Sequence, residues 1–218
     1  MSEIWGEIVP LAAALAASPF PIIPAILLLF TARPRATGLS FLAGWVIGIV
    51  VATAVFVGLA TVLEPGDDTA AWASWARLAI GVALVVLGLS RWRGRHELHD
   101  TPAWMAALNE ATPGSAVRLG VLLSAANPKV LLLAAAGGIV IGSAGLSTTE
   151  TLVSVTAFTA IAAVTVALPV LLFIVLGERI LVPLGRTRDW LDANNAAVMA
   201  AVITVIGVLL AYKGYSGL

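Results

Sequence analysis

The sequence predicts an all-α integral membrane protein with six transmembrane helices, arranged as two inverted three-helix repeats with broken first and fourth helices. Of its 218 residues, 60% are hydrophobic and 11% are charged, whereas an ordinary soluble domain is about 25% charged. Apolar stretches of about 20 residues, the length that crosses a hydrocarbon core, recur along most of the chain. In addition, prolines interrupt the first and fourth of these stretches.

The six predicted spans follow each other with short connections. The first is expected to remain as a helix, because the chain begins with acidic rather than basic residues and so lacks a signal-peptide pattern. The longest connection, residues 91–115, is polar and is predicted to hold one interfacial turn of helix. The spans, in order, are residues 8–30, 39–63, 70–90, 116–141, 149–176 and 196–212.

The distribution of basic residues predicts the orientation. Nine arginines fall in the connections on one side and only Arg77 and Lys213 on the other, and the side rich in Lys and Arg is normally cytoplasmic. We therefore expect a multi-pass protein of a bacterial plasma membrane with both termini outside. The nine arginines are Arg33, Arg35, Arg91, Arg93, Arg95, Arg118, Arg179, Arg186 and Arg188.

Composition also excludes several classes of function. Equal numbers of basic and acidic residues, 12 each, leave no patch for nucleic acid. The chain has no cysteine and no phosphate-binding loop of the G-x-x-x-x-G-K-[ST] type. We therefore expect neither thiol chemistry nor ATP hydrolysis by this chain. The spans hold no histidine and no carboxylate pair, which argues against an enzyme. We expect no cofactor or metal, and interpret the His-x-x-His sequence at residues 96–99 as a solvated loop.

The two halves resemble each other, with a first repeat at residues 1–95, a cytoplasmic loop at 96–115 and a second repeat at 116–218. Residues 80–91 and 202–213 end the halves in a similar way. Each half opens with a helix broken near its middle. Three spans per half place the repeats upside down relative to each other, and matched broken helices in inverted repeats point to a transporter site.

The breaks predict two helix N-termini that face each other inside the membrane. Ser18 and Asn127 are residue types that cap helices, and Pro19 and Pro128 then take the first helical position. Such N-termini bind anions. The predicted substrate-binding residues are Ser18, Pro19, Phe20, Pro21, Asn127, Pro128 and Lys129.

Lys129 stands out because a lysine at this depth costs about 2.5–3.5 kcal/mol on insertion scales. No acidic residue lies in the interior of any predicted span to pair with it, since Glu150 stands at the outer end of the fifth. A lysine at this depth is explained if an anionic group binds there transiently, or if the lysine gains and loses a proton during the transport cycle. The alternative is a side chain that snorkels to the inner interface, which is a long reach from mid-membrane.

Three further features favour structural interpretations. The pairs Gly44/Gly48 and Gly138/Gly142 have the spacing of close helix packing, and we expect packing within the chain rather than dimerisation. Residues 177–195 mix arginines with apolar residues and are interpreted as a positively charged loop, with a helix along the inner surface as the alternative. Glu178 is interpreted as an ion pair with Arg179.

At these residues the sequence resembles the lysine-exporter (LysE) translocator superfamily, and more closely its GAP/Sap branch, the glycopeptidolipid- and sulfolipid-addressing proteins. The resemblance extends over nearly the whole chain. Its most specific parts are the Ser-Pro-Phe-Pro break, Phe-Leu-Ala-Gly-Trp at residues 41–45 and Asn-Pro-Lys at 127–129. It implies a plasma-membrane protein needed to move large envelope lipids to the cell surface.

The leading hypothesis is therefore a secondary exporter of an amphiphilic, (glyco)lipid-type cargo, working by alternating access at the two breaks. Its partners are membrane lipids and an anionic or glycosylated cargo. Two alternatives stay open: an exporter of an amino acid or small solute that uses the same anion site, and a non-transporting accessory subunit of a larger lipid exporter. The sequence also leaves open a homodimer or a larger export complex, the cargo and the coupling ion.

Overall fold

In a computed structural model, the residues described are 2–62 and 108–216, together with isolated positions 82, 85, 86, 89, 90 and 92. The part described is helical and contains no strand. Three short 3-10 segments, Leu28–Phe30, Leu108–Glu110 and Gly177–Ile180, adjoin the helices. The α-helices are α1 (Ser2–Ala16), α2 (Ile22–Leu27), α3 (Pro34–Val62), α4 (Pro113–Ala125), α5 (Pro128–Gly142), α6 (Thr148–Leu176) and α7 (Leu181–Ser216).

The chain forms two compact units. One contains residues 1–63 and 101–189, and the other contains 64–100 and 190–218. The first unit therefore holds α1 to α6 with the start of α7, while the described part of the second is mainly the rest of α7. Both predicted repeats, 1–95 and 116–218, contribute to each unit, and the inverted relation between them stays a prediction.

Apolar helices long enough to cross a membrane are present. Pro34–Thr61 has a mean hydropathy of 2.4, and the helical run Thr148–Leu191 reaches 2.7. The pair α4 and α5 passes the same test together, with a bend of 65° between its halves. These helices agree with the second, fourth and fifth predicted spans and with a multi-pass membrane protein.

The remaining spans compare differently. The first is divided between α1 and the short α2, and Ile4–Ala16 is an apolar helix too short to cross alone. The sixth lies within α7. The third span, at residues 70–90, and the interfacial turn expected in 96–115 fall mostly outside the described residues.

The interpretation of residues 177–195 as a loop is wrong. The helix α6 ends at Leu176, and its C-cap is Gly177, whose φ of +63° suits glycine. The chain continues as a 3-10 turn and then as α7. The physical reason is the apolar residues between the arginines. Leu184 is buried against Ile26 and Phe173, and Ile180 and Leu181 pack on the same cluster, so helix formation here buries a hydrophobic face.

Glycines bring α3 against α4 and α5. A Cβ atom on Gly44 would overlap the carbonyl group of Val117, and one on Gly138 or Gly142 would lie 2.6 Å from a carbonyl oxygen of α3. In a membrane, small residues allow this close approach of backbones, which supplies the packing energy. The expectation that both glycine pairs pack within the chain is confirmed.

Candidate functional site

The second break, between α4 and α5, has the local geometry that the sequence predicts. Asn127 has extended backbone angles, and its side-chain oxygen accepts a hydrogen bond of 3.0 Å from the Lys129 N–H. Pro128 occupies the first turn of α5, where its missing N–H removes no helical bond. The predicted capping of α5 by Asn127 is confirmed.

Lys129 is half-buried, and its Nζ atom is enclosed with no hydrogen-bond partner among the residues that the structure describes. The first turn of α5 contains no acidic residue. In the described ranges the one ion pair, at 4.0 Å, joins Arg188 to Asp189. An enclosed Nζ atom argues against snorkelling, because a snorkelling ammonium group reaches water. Two positive features, the lysine and the N-terminal end of the helix dipole, therefore lie together without a counter-charge from the part of the chain that the structure describes.

The first break lies between Ala16 and Ile22, where the sequence places it, but the helix restarts later than expected. The N–H groups of Ile22 and Ile23 donate to the Pro19 carbonyl, at 3.1 and 3.3 Å. The helix α2 then begins at Ile22, with Pro21 before it and no side-chain cap. A restart at Pro19 capped by Ser18 is therefore wrong.

The second proline explains this difference. A residue that precedes proline is disfavoured in helical conformation, and Phe20 precedes Pro21. The helix begins directly after this pair, although Ile23 is helical before Pro24 within α2, so the preference favours this start rather than forcing it. Ser18 is 1% exposed, and the residues Ser18 to Pro21, of which Phe20 is half-buried, form a connection before α2 rather than the first turn of a helix.

Thr165, which was not predicted from the sequence, forms a hydrogen bond at the first break. The Thr165 hydroxyl of α6 donates a hydrogen bond of 2.7 Å to the carbonyl oxygen of Ala16, the last residue of α1. A helix end leaves such carbonyl groups without an intrahelical donor, and in lipid an unsatisfied group costs several kcal/mol. Nothing in the sequence distinguishes Thr165 from the other hydroxyl residues of the same span, because its partner is 149 positions away.

The helices that flank the two breaks pack together. The helix α1, which ends at the first break, packs against α5, which begins at the second, and against α6. Asn127, Pro128 and Lys129 form one continuous cap and first turn. The joint action of Ser18 to Pro21 with this turn on one substrate stays a prediction.

Removal of the Thr165 hydroxyl is expected to destabilise the protein. In Thr165→Val the Ala16 carbonyl loses its donor in a half-buried site, so the free energy of unfolding should fall by about 1–3 kcal/mol. Thermal unfolding of the purified protein in detergent measures this. The control is Thr187→Val, which removes a hydroxyl bonded to Pro183 within one turn of α7. Equal shifts for both variants would show that the link to α1 contributes nothing.

The described residues contain no group of three His, Cys, Asp or Glu side chains that could hold a metal ion. The His-x-x-His sequence at residues 96–99 lies outside them. The arrangement at the second break instead offers a buried ammonium group and a helix N-terminus, which are features that attract an anion.

The apolar helices and the bent helical pair, which is a broken span or a re-entrant segment by its geometry, are those of an integral membrane protein by length and composition. The chain belongs to the Sap, sulfolipid-1-addressing protein, family, whose model matches residues 8–216. This confirms the resemblance to the GAP/Sap branch, while placement in the wider lysine-exporter superfamily stays a prediction. Searches among curated proteins and among solved structures returned no match.

Proposed function

We propose that this protein is a secondary transporter of the bacterial plasma membrane, which moves an amphiphilic, (glyco)lipid-type cargo toward the cell surface. Membership in a family described as sulfolipid-1-addressing supports a role in lipid export. The observation that carries the proposal is the Nζ atom of Lys129, enclosed beside the capped N-terminus of α5 and unpaired among the described residues.

The unpaired lysine has an energetic consequence. Burial of an ammonium group without a partner is costly, and the dipole at the start of α5 adds to this cost rather than relieving it. An anionic headgroup that enters the site relieves both terms at once. Because binding removes both costs, the site binds an anion although it lies deep in the membrane. The acyl chains of the cargo stay in lipid.

Transport also requires two arrangements of the helices around the site. The helices α4 and α5 meet at an angle of 65° directly before Lys129, and we infer that this angle changes between the two arrangements. The hydrogen bond from Thr165 joins the end of α1 to α6. In this mechanism it holds these two helices together at the first break while the second break bends. A proton or substrate gradient supplies the energy, since the chain has no nucleotide-binding loop.

Reconstitution tests this function directly. The purified protein is placed alone in vesicles with fluorescent anionic and zwitterionic lipids, and the fraction of each lipid reaching the outer leaflet is followed by chemical quenching. We expect faster transfer of the anionic lipid than in empty vesicles. No transfer by the protein alone, combined with loss of surface-extractable envelope lipid in a deletion strain, would identify an accessory subunit. No lipid defect in that strain would favour export of an amino acid.

A further inference from the structure

A second cationic feature is a groove whose lining includes no residue of either break. This open groove of about 470 Å³ runs between the turn that leads into α3 and the end of α6. Arg33 and Arg35 line it from one side, and Phe173, Gly177 and Glu178 line it from the other. This volume lies within the range of small-molecule sites, about 300–1,000 Å³.

Buried hydroxyl groups fix the turn that carries the arginines. Thr31 and Thr37 are both buried, and their side-chain oxygens lie 2.8 Å apart. Each hydroxyl also lies 2.8 Å from the carbonyl oxygen of Leu28. Because Thr37 sits in the first turn of α3 and its hydroxyl also donates to the Arg33 carbonyl oxygen at 3.0 Å, this network fixes the backbone that carries Arg33 and Arg35.

The charged side chains that line the groove form no ion pairs with one another. Arg33, Arg35 and Glu178 are exposed, and within the described ranges none of them forms an ion pair, since the pair found there joins Arg188 to Asp189. The expected pair between Glu178 and Arg179 is therefore wrong. The chain turns at Gly177 and places Glu178 in the groove wall. Two guanidinium groups and one carboxylate leave a net positive charge of one.

The surroundings of the groove are those of a membrane interface. It lies at the start of the apolar helix Pro34–Thr61 and at the end of α6. Large apolar side chains within three residues of the lining residues in sequence are exposed, with 47% exposure for Phe30 and 79% for Val175. A ligand that satisfies both the arginines and this apolar rim needs an anionic head and a hydrocarbon tail. Guanidinium groups suit phosphate and sulfate oxygens because they donate two parallel hydrogen bonds.

We propose that this groove binds the headgroup of an anionic lipid from the adjacent leaflet, which is the cytoplasmic one in the orientation that the arginines predict. The site is distinct from Lys129 and does not depend on transport through it. Arg33 and Arg35 contact the phosphate or sulfate, Phe173 borders the headgroup, and Glu178 limits affinity by repulsion.

Binding of short-chain lipids to the full-length protein in neutral detergent tests this site. Native mass spectrometry measures the affinity for dioctanoyl phosphatidylglycerol, with dioctanoyl phosphatidylcholine and inorganic phosphate as the other arms. We expect preference for phosphatidylglycerol over both. Removal of both cations in R33Q/R35Q should weaken its binding at least about 10-fold, since each is a charge-assisted contact. Glu178→Gln should tighten binding several-fold.

The matched control removes the same charge elsewhere. Arg118 and Arg186 are exposed and do not line the groove, so R118Q/R186Q should change the affinity less than about 2-fold. Equal weakening by both pairs would reduce the site to general surface charge and overturn the proposal. Equal binding of phosphatidylcholine, or of inorganic phosphate, would overturn it as well. Binding that is lost in R33Q/R35Q belongs to the groove, whereas binding that is lost in Lys129→Gln belongs to the transport site, so failure of the groove and failure of the transport site are separate results.

Discussion

Replacement of Lys129 by Gln is expected to lower the rate of lipid transfer about 10- to 100-fold, because a hydrogen bond to a charged group contributes about 1.5–3 kcal/mol. The same change should leave the protein folded or make it slightly more stable. The lysine costs free energy where it stands, since its Nζ atom is enclosed and unpaired among the described residues. A neutral side chain removes that cost. Transfer assays and thermal unfolding on the same preparations measure the two effects.

Two variants separate the charge from its position. Lys129→Arg keeps the positive charge and should retain part of the activity. Arg118→Gln removes an exposed cation from α4, the other half of the bent pair, and should transport like the wild type. If Lys129→Gln transports normally, the anion site at the second break is disproved. If it loses stability together with activity, Lys129 is a packing residue instead.

The two breaks show how far sequence reasoning extends into this fold. At the second break the rules for a helix start act locally: Asn127 caps, Pro128 follows, and the structure agrees with the prediction. At the first break the same rules gave the wrong start, because the second proline of the Ser-Pro-Phe-Pro segment delays the helix to Ile22. The position of each break was predictable from the sequence. The residue at which the helix restarts after the first break was not, because the effect of Pro21 on the conformation of Phe20 also had to be considered.

Features that depend on distant contacts were not predictable. The bond from Thr165 to Ala16 joins residues 149 positions apart, and no pattern in either segment marks it. The helical start of α7 depends on burial of Leu184 against Ile26 and Phe173, which is a tertiary effect that outweighs the charged appearance of the segment. The groove at Arg33 arises only when the end of α6 meets the start of α3.

Close packing of α3 on α4 leads to the second large effect. A Cβ atom on Gly120 would overlap the carbonyl oxygen of Phe41 and lie 2.7 Å from the backbone nitrogen of Trp45. Backbone atoms within two packed helices cannot move aside cheaply. Gly120→Val is therefore expected to cost about 3 kcal/mol, the upper end of overpacking penalties, and to lower the unfolding midpoint by about 6–12 °C.

Gly58 supplies the control on α3, because nothing lies within 4 Å of a Cβ atom added there. Gly58→Ala should be neutral or slightly stabilising, since alanine favours helix more than glycine does. A similar loss of stability in both variants would show that helix flexibility, rather than close approach, explains the glycines.

Gly48 allows a sharper test, because the obstacle there is a side chain. A Cβ atom on Gly48 would overlap the hydroxyl oxygen of Ser124, and Val121 O would lie at 3.3 Å. Gly48→Ala alone should therefore destabilise the protein, and Ser124→Gly in the same chain should restore most of the loss. The coupling between the two changes in a double-mutant cycle should exceed about 1 kcal/mol. Additive effects would mean that α3 and α4 do not approach at this point. No such rescue exists for Gly120, because the atoms that a Cβ atom there would overlap belong to the backbone. The two glycines therefore differ in whether backbone or side-chain atoms of the facing helix lie against them.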